Sequence, residues 1–267
     1  MFGLFTVGDY ASRSEGARDC VVWSVISYMK SFHVHTNCLR LKYEFGNLYR
    51  FLTRPLYQSR VPLHQITNIF GVRFGENSSH FMVRYLESHH ELKSNISKSF
   101  AIAQYHKSFS PTSLGESLGL PLENDLPLFV YPWGVFGTGA SKSNKNVLNS
   151  RFCGPSEREL VSTEEEALLE LHDVIKRDGY RPTEYPNRFI QGVWLVREDG
   201  RRKFVVLQGN HRVAVMSYLK FEKVAVRNDM FKIGEVREKD IDNWVMVRNE
   251  HISRKEAKLV FDCFFTS

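Results

Sequence analysis

Apolar and polar positions recur with clear periods along the second half of the chain and only weakly along the first. Ala167, Leu168, Leu171, Val174 and Ile175 recur at i, i+1, i+4, i+7 and i+8, which is one helical face, and Gly179 supplies the stop. Ser162 with Glu165 has the spacing of a capping box ahead of that face. FIQGVWLVRE and RRKFVVLQ follow as two β-prone runs joined by Asp199-Gly200, a hairpin signal. A helix is predicted over 211–219, with Val213, Ala214, Met216 and Leu219 available for packing, and KVAVRN reads as a short strand. Ser253 and Glu256 form another capping box, ahead of a helix that turns Ala257, Val260, Phe261 and Phe264 inward. The order helix, strand, strand, helix, strand, helix predicts an α+β fold, a mixed sheet covered by flanking helices.

The first part, residues 1–110, is rich in aromatic and basic residues. CVVWSVISYMKSF fits a strand or a buried helix, whereas HQITNIFGVRF and SSHFMVRYLESHHEL have helical spacing, so this part is expected to be mostly helical. Residues 111–150 gather proline, glycine and small polar residues and are expected to form a linker and loops ahead of a domain at 151–267.

Composition bounds the function. A chain of 267 residues with 42% apolar residues can fill a core, and its net charge of +6 fits an anionic partner such as a nucleotide, a phosphorylated sugar, RNA or an acidic membrane surface, as it fits a merely basic surface. Cys20, Cys38, Cys153 and Cys263 form no C-x-x-C pair, so neither a zinc site nor a redox dithiol is indicated and the thiols are expected to be reduced. No apolar run has the length of a membrane span and residues 1–10 lack the character of a secretory signal, so a cytoplasmic protein is expected.

The chemistry concentrates at Gln208-Gly209-Asn210-His211-Arg212, where a strand gives way to a helix. The first N–H groups of a helix have no partner within it, Gly209 lets the main chain approach a ligand, and His211 and Arg212 both donate to phosphate oxygens. The same turn has a plainer reading, with Asn210 capping the helix and Arg212 paired to a carboxylate such as Glu222.

The wider segment LHDVIKRDGYRP with WLVREDGRRKFVVLQGNHRVAVMSYLKFEKVAV resembles the ParB/sulfiredoxin superfamily over about residues 150–230. That family places a Gly-x-(His/Arg)-Arg phosphate loop between a strand and a helix. Sulfiredoxins carry a cysteine where this chain has Asn210, so sulfinic acid reduction has no thiol nucleophile here. Chromosome-partition members have a more arginine-rich loop followed by a helix-turn-helix domain. The free-serine kinase branch, with Asp-Gly-His-His-Arg at the loop, is the nearest in chemistry; Gln208 and Asn210 depart from it, which leaves open any metal or base role tied to those positions. The resemblance implies a site for ATP or ADP with Mg²⁺, the phosphates held by Gly209, His211 and Arg212, and phosphoryl transfer to a small hydroxyl-bearing metabolite or sugar. It also implies a catalytic glutamate ahead of the first helix of the domain, where Glu157 and Glu159 stand. Glu157 is preferred, because a turn residue points into a cleft more readily.

Arg151, Lys142 and Lys145 lie where a lid over an anionic substrate would be expected, although solvated loop positions have the same composition. His33 with His35, and His80 with His89 and His90, lack the carboxylate or cysteine of a metal spacing. RLKYEFGNLYRFLTRPLYQSR interleaves basic and aromatic residues as single-strand nucleic-acid surfaces do, and as packed amphipathic helices do. The rival to a kinase is therefore a non-catalytic module that binds a nucleotide or a nucleic acid through the same loop.

Overall fold

A computed structural model of the chain describes residues 58–75, 77–91, 100–135, 152–184, 189–228 and 235–266. In chain order its elements are β1 (Gln58–Pro62), β2 (Ile66–Thr67), α1 (Phe81–Glu91), α2 (Phe100–Ser108), α3 (Leu114–Leu118), β3 (Val130–Tyr131) and β4 (Gly134–Val135). These are followed by α4 (Arg158–Asp178), β5 (Ile190–Val196), β6 (Arg202–Gln208), α5 (Asn210–Tyr218), β7 (Lys223–Asn228), β8 (Glu235–Arg237), α6 (Val245–Arg248) and α7 (Arg254–Thr266).

The centre of the fold is a mixed sheet in the order β1-β7-β5-β6-β2, with β8 extending the β7 edge of β5. β5 and β6 form the hairpin expected at Asp199-Gly200, and Gly200 takes φ 85° in its turn. β7 and β8 both run parallel to β5, while β2 runs parallel to β6 and β1 antiparallel to β7. Each face of the sheet is buried under helices, which is why FVVL at 204–207 is a continuous apolar run rather than an alternating one.

Along that run Phe204 and Val206 join Ile190, Val224 and Val226 in one core, closed by α1, α2, α4 and α5. Val205 and Leu207 join Val193 and Leu195 in the other, closed by α3, the β3–β4 hairpin and α7. The Ser253–Glu256 capping box forms as expected: Glu256 N donates to Ser253 Oγ at 3.2 Å and Ser253 N to Glu256 Oε2 at 3.1 Å. α7 then buries Ala257, Val260, Phe261 and Phe264 completely, and each phenylalanine contributes about 1.5–3 kcal/mol.

Several expectations need correction. HQITNIFGVRF is not an α-helix: only His64 and Gln65 lie in a short 3-10 turn, Asn68 Oδ1 accepts from Phe70 N at 2.9 Å and Val72 N at 3.0 Å, and Gly71 takes φ 77°. This side-chain turn competes with the helix its spacing suggested. SSHFMVRYLESHHEL does contain α1. Residues 111–135 are more than a connector, since Leu114, Leu126, Leu128, Tyr131 and Trp133 fill the second core and the Tyr131 hydroxyl donates to Ile69 O. Residues 58–62 and 66–67 are strands of the same sheet as 190–208, so the segment before 110 is not purely helical.

α4 starts at Arg158, upstream of the capping box read at Ser162 and Glu165. Ser162 Oγ donates to Glu159 O at 3.0 Å inside the helix, because the buried stripe already begins at Val161. Gly179 ends α4 with φ 75°, as expected. Among the described residues no helix is long and apolar enough to cross a membrane.

Candidate functional site

The QGNHR turn leaves the sheet between β6 and α5. Gly209 adopts φ 101° and ψ 23°, a region costly for any L side chain. A Cβ there would stand 3.2 Å from Ile190 Cγ1 and 3.1 Å from Arg212 Nη2, so the guanidinium folds back over the glycine. Val213 N makes the first helical bond, to Gly209 O at 3.1 Å, which sets the N–H groups of Asn210 and His211 ahead of the helix's own ladder.

Asn210 is not the side-chain cap of the plainer reading: the capping position is Gly209, and no side-chain cap bond is made. Asn210 is buried at 8% exposure, and its Oδ1 has no partner among the described residues. Gln208 ends β6 with an exposed side chain.

A carboxylate that sequence reasoning missed stands within ion-pair distance of His211. The His211 Nε2 lies 2.7 Å from Glu164 Oε2, with the histidine 24% and the glutamate 4% exposed. Glu164 sits on the inward face of α4, one turn from Leu168 and near Val161. A glutamate on a helix's apolar stripe is the signal that would have found it, because a carboxylate is rarely buried without a partner.

Glu157 and Glu159, the expected bases, are exposed at the start of α4. Glu157 is the N-cap without a side-chain bond to the helix, and the Glu159 main-chain carbonyl accepts from Ser162 and Thr163. Glu157 stands seven residues ahead of Glu164, about two helical turns or 10 Å along the axis. Those two carboxylates are therefore not the ones the structure brings to His211.

Further histidines surround the pair. Burial pushes His80 down to about 3, with a smaller electrostatic contribution from the His211 ring, so His80 is neutral at physiological pH. Burial likewise lowers His106, against the opposing pull of the Cys153 carbonyl and of Glu164.

Arg212 is positioned from the other side by Tyr180, with which it shares a hydrogen bond. The Tyr180 hydroxyl accepts from Ile190 N at 3.1 Å and donates to Ala225 O at 3.3 Å, so it ties Arg212 to β5 and β7. Burial raises the Tyr180 pKa, opposed by its Ile190 and Arg212 bonds. Arg212 and Tyr180 border a cleft of about 190 Å³ whose apolar wall is Leu171, Val174 and Ile175. Main-chain N–H groups, a guanidinium and an imidazole backed by a carboxylate thus meet at one helix start. Such a set can neutralise an anion and take a proton from a group beside it.

No protein-family model matches the chain, and no curated protein matches it. Among the described residues no three His, Cys, Asp or Glu side chains converge as a metal centre. His90 stacks on Tyr218 with ring centroids 5.3 Å apart and packs 4.5 Å from His172. Lys142, Lys145, Arg151, His33, His35 and most of the basic-aromatic run lie outside the described residues.

Proposed function

We propose that the chain is a nucleotide-dependent phosphotransferase, built on a ParB/sulfiredoxin-like domain, that moves a phosphoryl group from ATP or ADP to a hydroxyl of a small metabolite or sugar. The observation that carries the reading is the Gly209 turn: a left-handed glycine with the Arg212 guanidinium folded over it, at the head of a nine-residue helix and beside a His211–Glu164 pair. The succession β6, loop, α5, β7 supports the fold part of the proposal.

Arg212 and the main-chain N–H groups of Asn210 and His211 neutralise phosphate oxygens, and Tyr180 holds Arg212 in place. The buried Asn210 Oδ1 has no partner among the described residues and, as an acceptor, fits a donor group of the bound molecule rather than a phosphate oxygen. Mg²⁺ carried by the nucleotide would supply further neutralisation of the phosphate charge. His211 accepts the proton of the attacking hydroxyl, and Glu164 orients the ring and stabilises the resulting imidazolium. The base role thereby moves from Glu157 and Glu159 to the His211–Glu164 pair.

The test is calorimetric titration of Mg²⁺-ATP and Mg²⁺-ADP into wild type and Arg212→Ala. The expected loss is about 1.5–3 kcal/mol, or roughly 10- to 100-fold in affinity, the scale of a charge-assisted contact. Absence of binding by either nucleotide overturns the proposal. Nucleotide binding without ADP or AMP release across a panel of hydroxyl metabolites, or affinity for RNA that falls steeply with salt, selects the non-catalytic rival.

A further inference from the structure

A second chemical pair is coupled electrostatically to the His211–Glu164 pair. His106, in the last turn of α2, is buried at 3% exposure with its ring edge against Phe81, 5.8 Å between centroids. Its Nδ1 lies 2.9 Å from Ser156 Oγ. The ring also donates to the Cys153 main-chain carbonyl. In the tautomer with its proton on Nε2, Nδ1 presents its lone pair to the Ser156 hydroxyl. A hydroxyl within reach of a base that a third group orients is the arrangement of an activated nucleophile.

The loop does not need this bond to hold its place. The Tyr105 hydroxyl donates to Phe152 O at 2.8 Å, and Gly154 N donates to Phe109 O at 2.8 Å. Gly154 itself lies so close that an added Cβ would fall 1.6 Å from His106 O. Ser156 is half-buried between exposed Pro155 and Glu157, immediately ahead of the 21-residue helix α4, whose positive end favours charge developing there. Glu164, which stands against His211, also acts electrostatically on His106.

We infer that Ser156 is a nucleophile activated by His106 that takes a phosphoryl group from the bound nucleotide, an inference that rests on the phosphotransferase reading. Ser156 Oγ attacks the terminal phosphorus and forms an O–P bond. The bond from that phosphorus to the bridging oxygen breaks, and the nucleotide diphosphate (or monophosphate, from ADP) leaves with the electron pair. The hydroxyl proton passes to His106 Nδ1 and from the imidazolium to solvent, leaving phosphoserine at 156.

Two reagents test it on the full chain. A fluorophosphonate, whose P–F bond breaks as Ser156 Oγ bonds to phosphorus, reports the nucleophile without any nucleotide. Mg²⁺-ATP reports the transfer. Intact mass and peptide mapping are expected to place one adduct from each reagent on Ser156. Both adducts are lost in Ser156→Ala, and labelling slows by about 100-fold or more in His106→Gln. Ser156→Ala is expected to leave nucleotide affinity in calorimetry unchanged.

If the native chain takes neither adduct at Ser156, the inference is overturned, whatever the folding of His106→Gln. If ATP binds and the fluorophosphonate labels Ser156 but ATP does not, the phosphoryl acceptor role is overturned. Fluorophosphonate labelling in a chain that binds no nucleotide refutes the phosphotransferase reading and leaves the activated serine standing.

Discussion

Replacing Gly209 by alanine separates the cost of a backbone conformation from the loss of a binding group. Gly209 takes φ 101°, and holding an L residue in the left-handed region costs roughly 1–2 kcal/mol. Its Cβ would also meet Ile190 Cγ1 at 3.2 Å and Arg212 Nη2 and Cζ at 3.1 and 3.3 Å. Ile190 is fully buried in the sheet and cannot retreat, so the longer and more mobile Arg212 gives way. Gly119 is the control, with φ 66° and ψ 30° and nothing within 4 Å of an added Cβ. Gly119→Ala and Gly209→Ala are expected to lose a similar 1–2 kcal/mol in denaturant unfolding, about 2–4 °C in Tm per kcal/mol. Only Gly209→Ala is expected to lose nucleotide affinity, by up to the roughly 10- to 100-fold of a charge-assisted contact. If Gly209→Ala folds and binds Mg²⁺-ATP as wild type does, neither the close approach at Gly209 nor the position of Arg212 holds phosphate.

Further predictions concern stability. Burial raises Glu165 to about 7 from the ordinary 4.5; a carboxyl with a raised folded pKa stabilises the fold below 4.5 and loses that contribution as pH climbs to about 7. Glu165→Gln should therefore stabilise the chain at pH 8 and change little at pH 4 in thermal melts; equal shifts at both pH values would refute this. Glu256 moves the other way, held down to about 2 by hydrogen bonds from Ser253 and the Asn124 and Glu123 amides, although burial opposes them. Its contribution is complete above pH 4.5 and lost as pH falls toward 2, so Glu256→Gln should flatten that acid limb of the stability curve. Gly192→Ala places a Cβ 2.1 Å from Val205 O; a loss of at least the ~1–3 kcal/mol of overpacking is expected by denaturant titration, and a neutral result would mean that β5 and β6 separate easily.

The parts of the fold legible in the sequence are those fixed by neighbours in the chain. Asp199-Gly200 between two β-prone runs gave the β5–β6 hairpin, and Ser253-x-x-Glu256 ahead of an apolar stripe gave α7. The same reasoning failed at Ser162 and Glu165, where the spacing is identical but the helix had already begun. A capping box is a local pattern, and only packing of Val161 reveals where the stripe starts. The partners of β1 and β2 lie far along the chain, and hairpin or helix periodicity carries no information about such pairings. Glu256 shows both limits in one side chain: its bond to Ser253 was legible, and its bonds to Glu123 N at 2.7 Å and Asn124 N at 3.0 Å were not.

The candidate site divides along the same line. Gly209, His211 and Arg212 fall within one four-residue stretch, so their chemistry is legible from the turn. Glu164, Tyr180, His80 and His106, which orient or surround them, arrive from α4, the segment after it, the approach to α1 and α2. Glu157 and Glu159 stand at the helix start where the sequence places a base, and both stay exposed there. Adjacent carboxylates deeper in α4 divide by about 100° of helical rotation: Glu164 turns to His211, while Glu165 acts electrostatically on Tyr85, which burial first and this charge second raise to about 12. In the EEE run of 164–166 the outer residue, Glu166, is exposed. Three identical residues therefore have three environments, and the one suited to assist proton transfer is distinguished by its partner and not by its spacing. Deleting the Glu164 carboxylate should accordingly impair the reaction of His211, whereas removing the charge of Glu165 should alter stability alone.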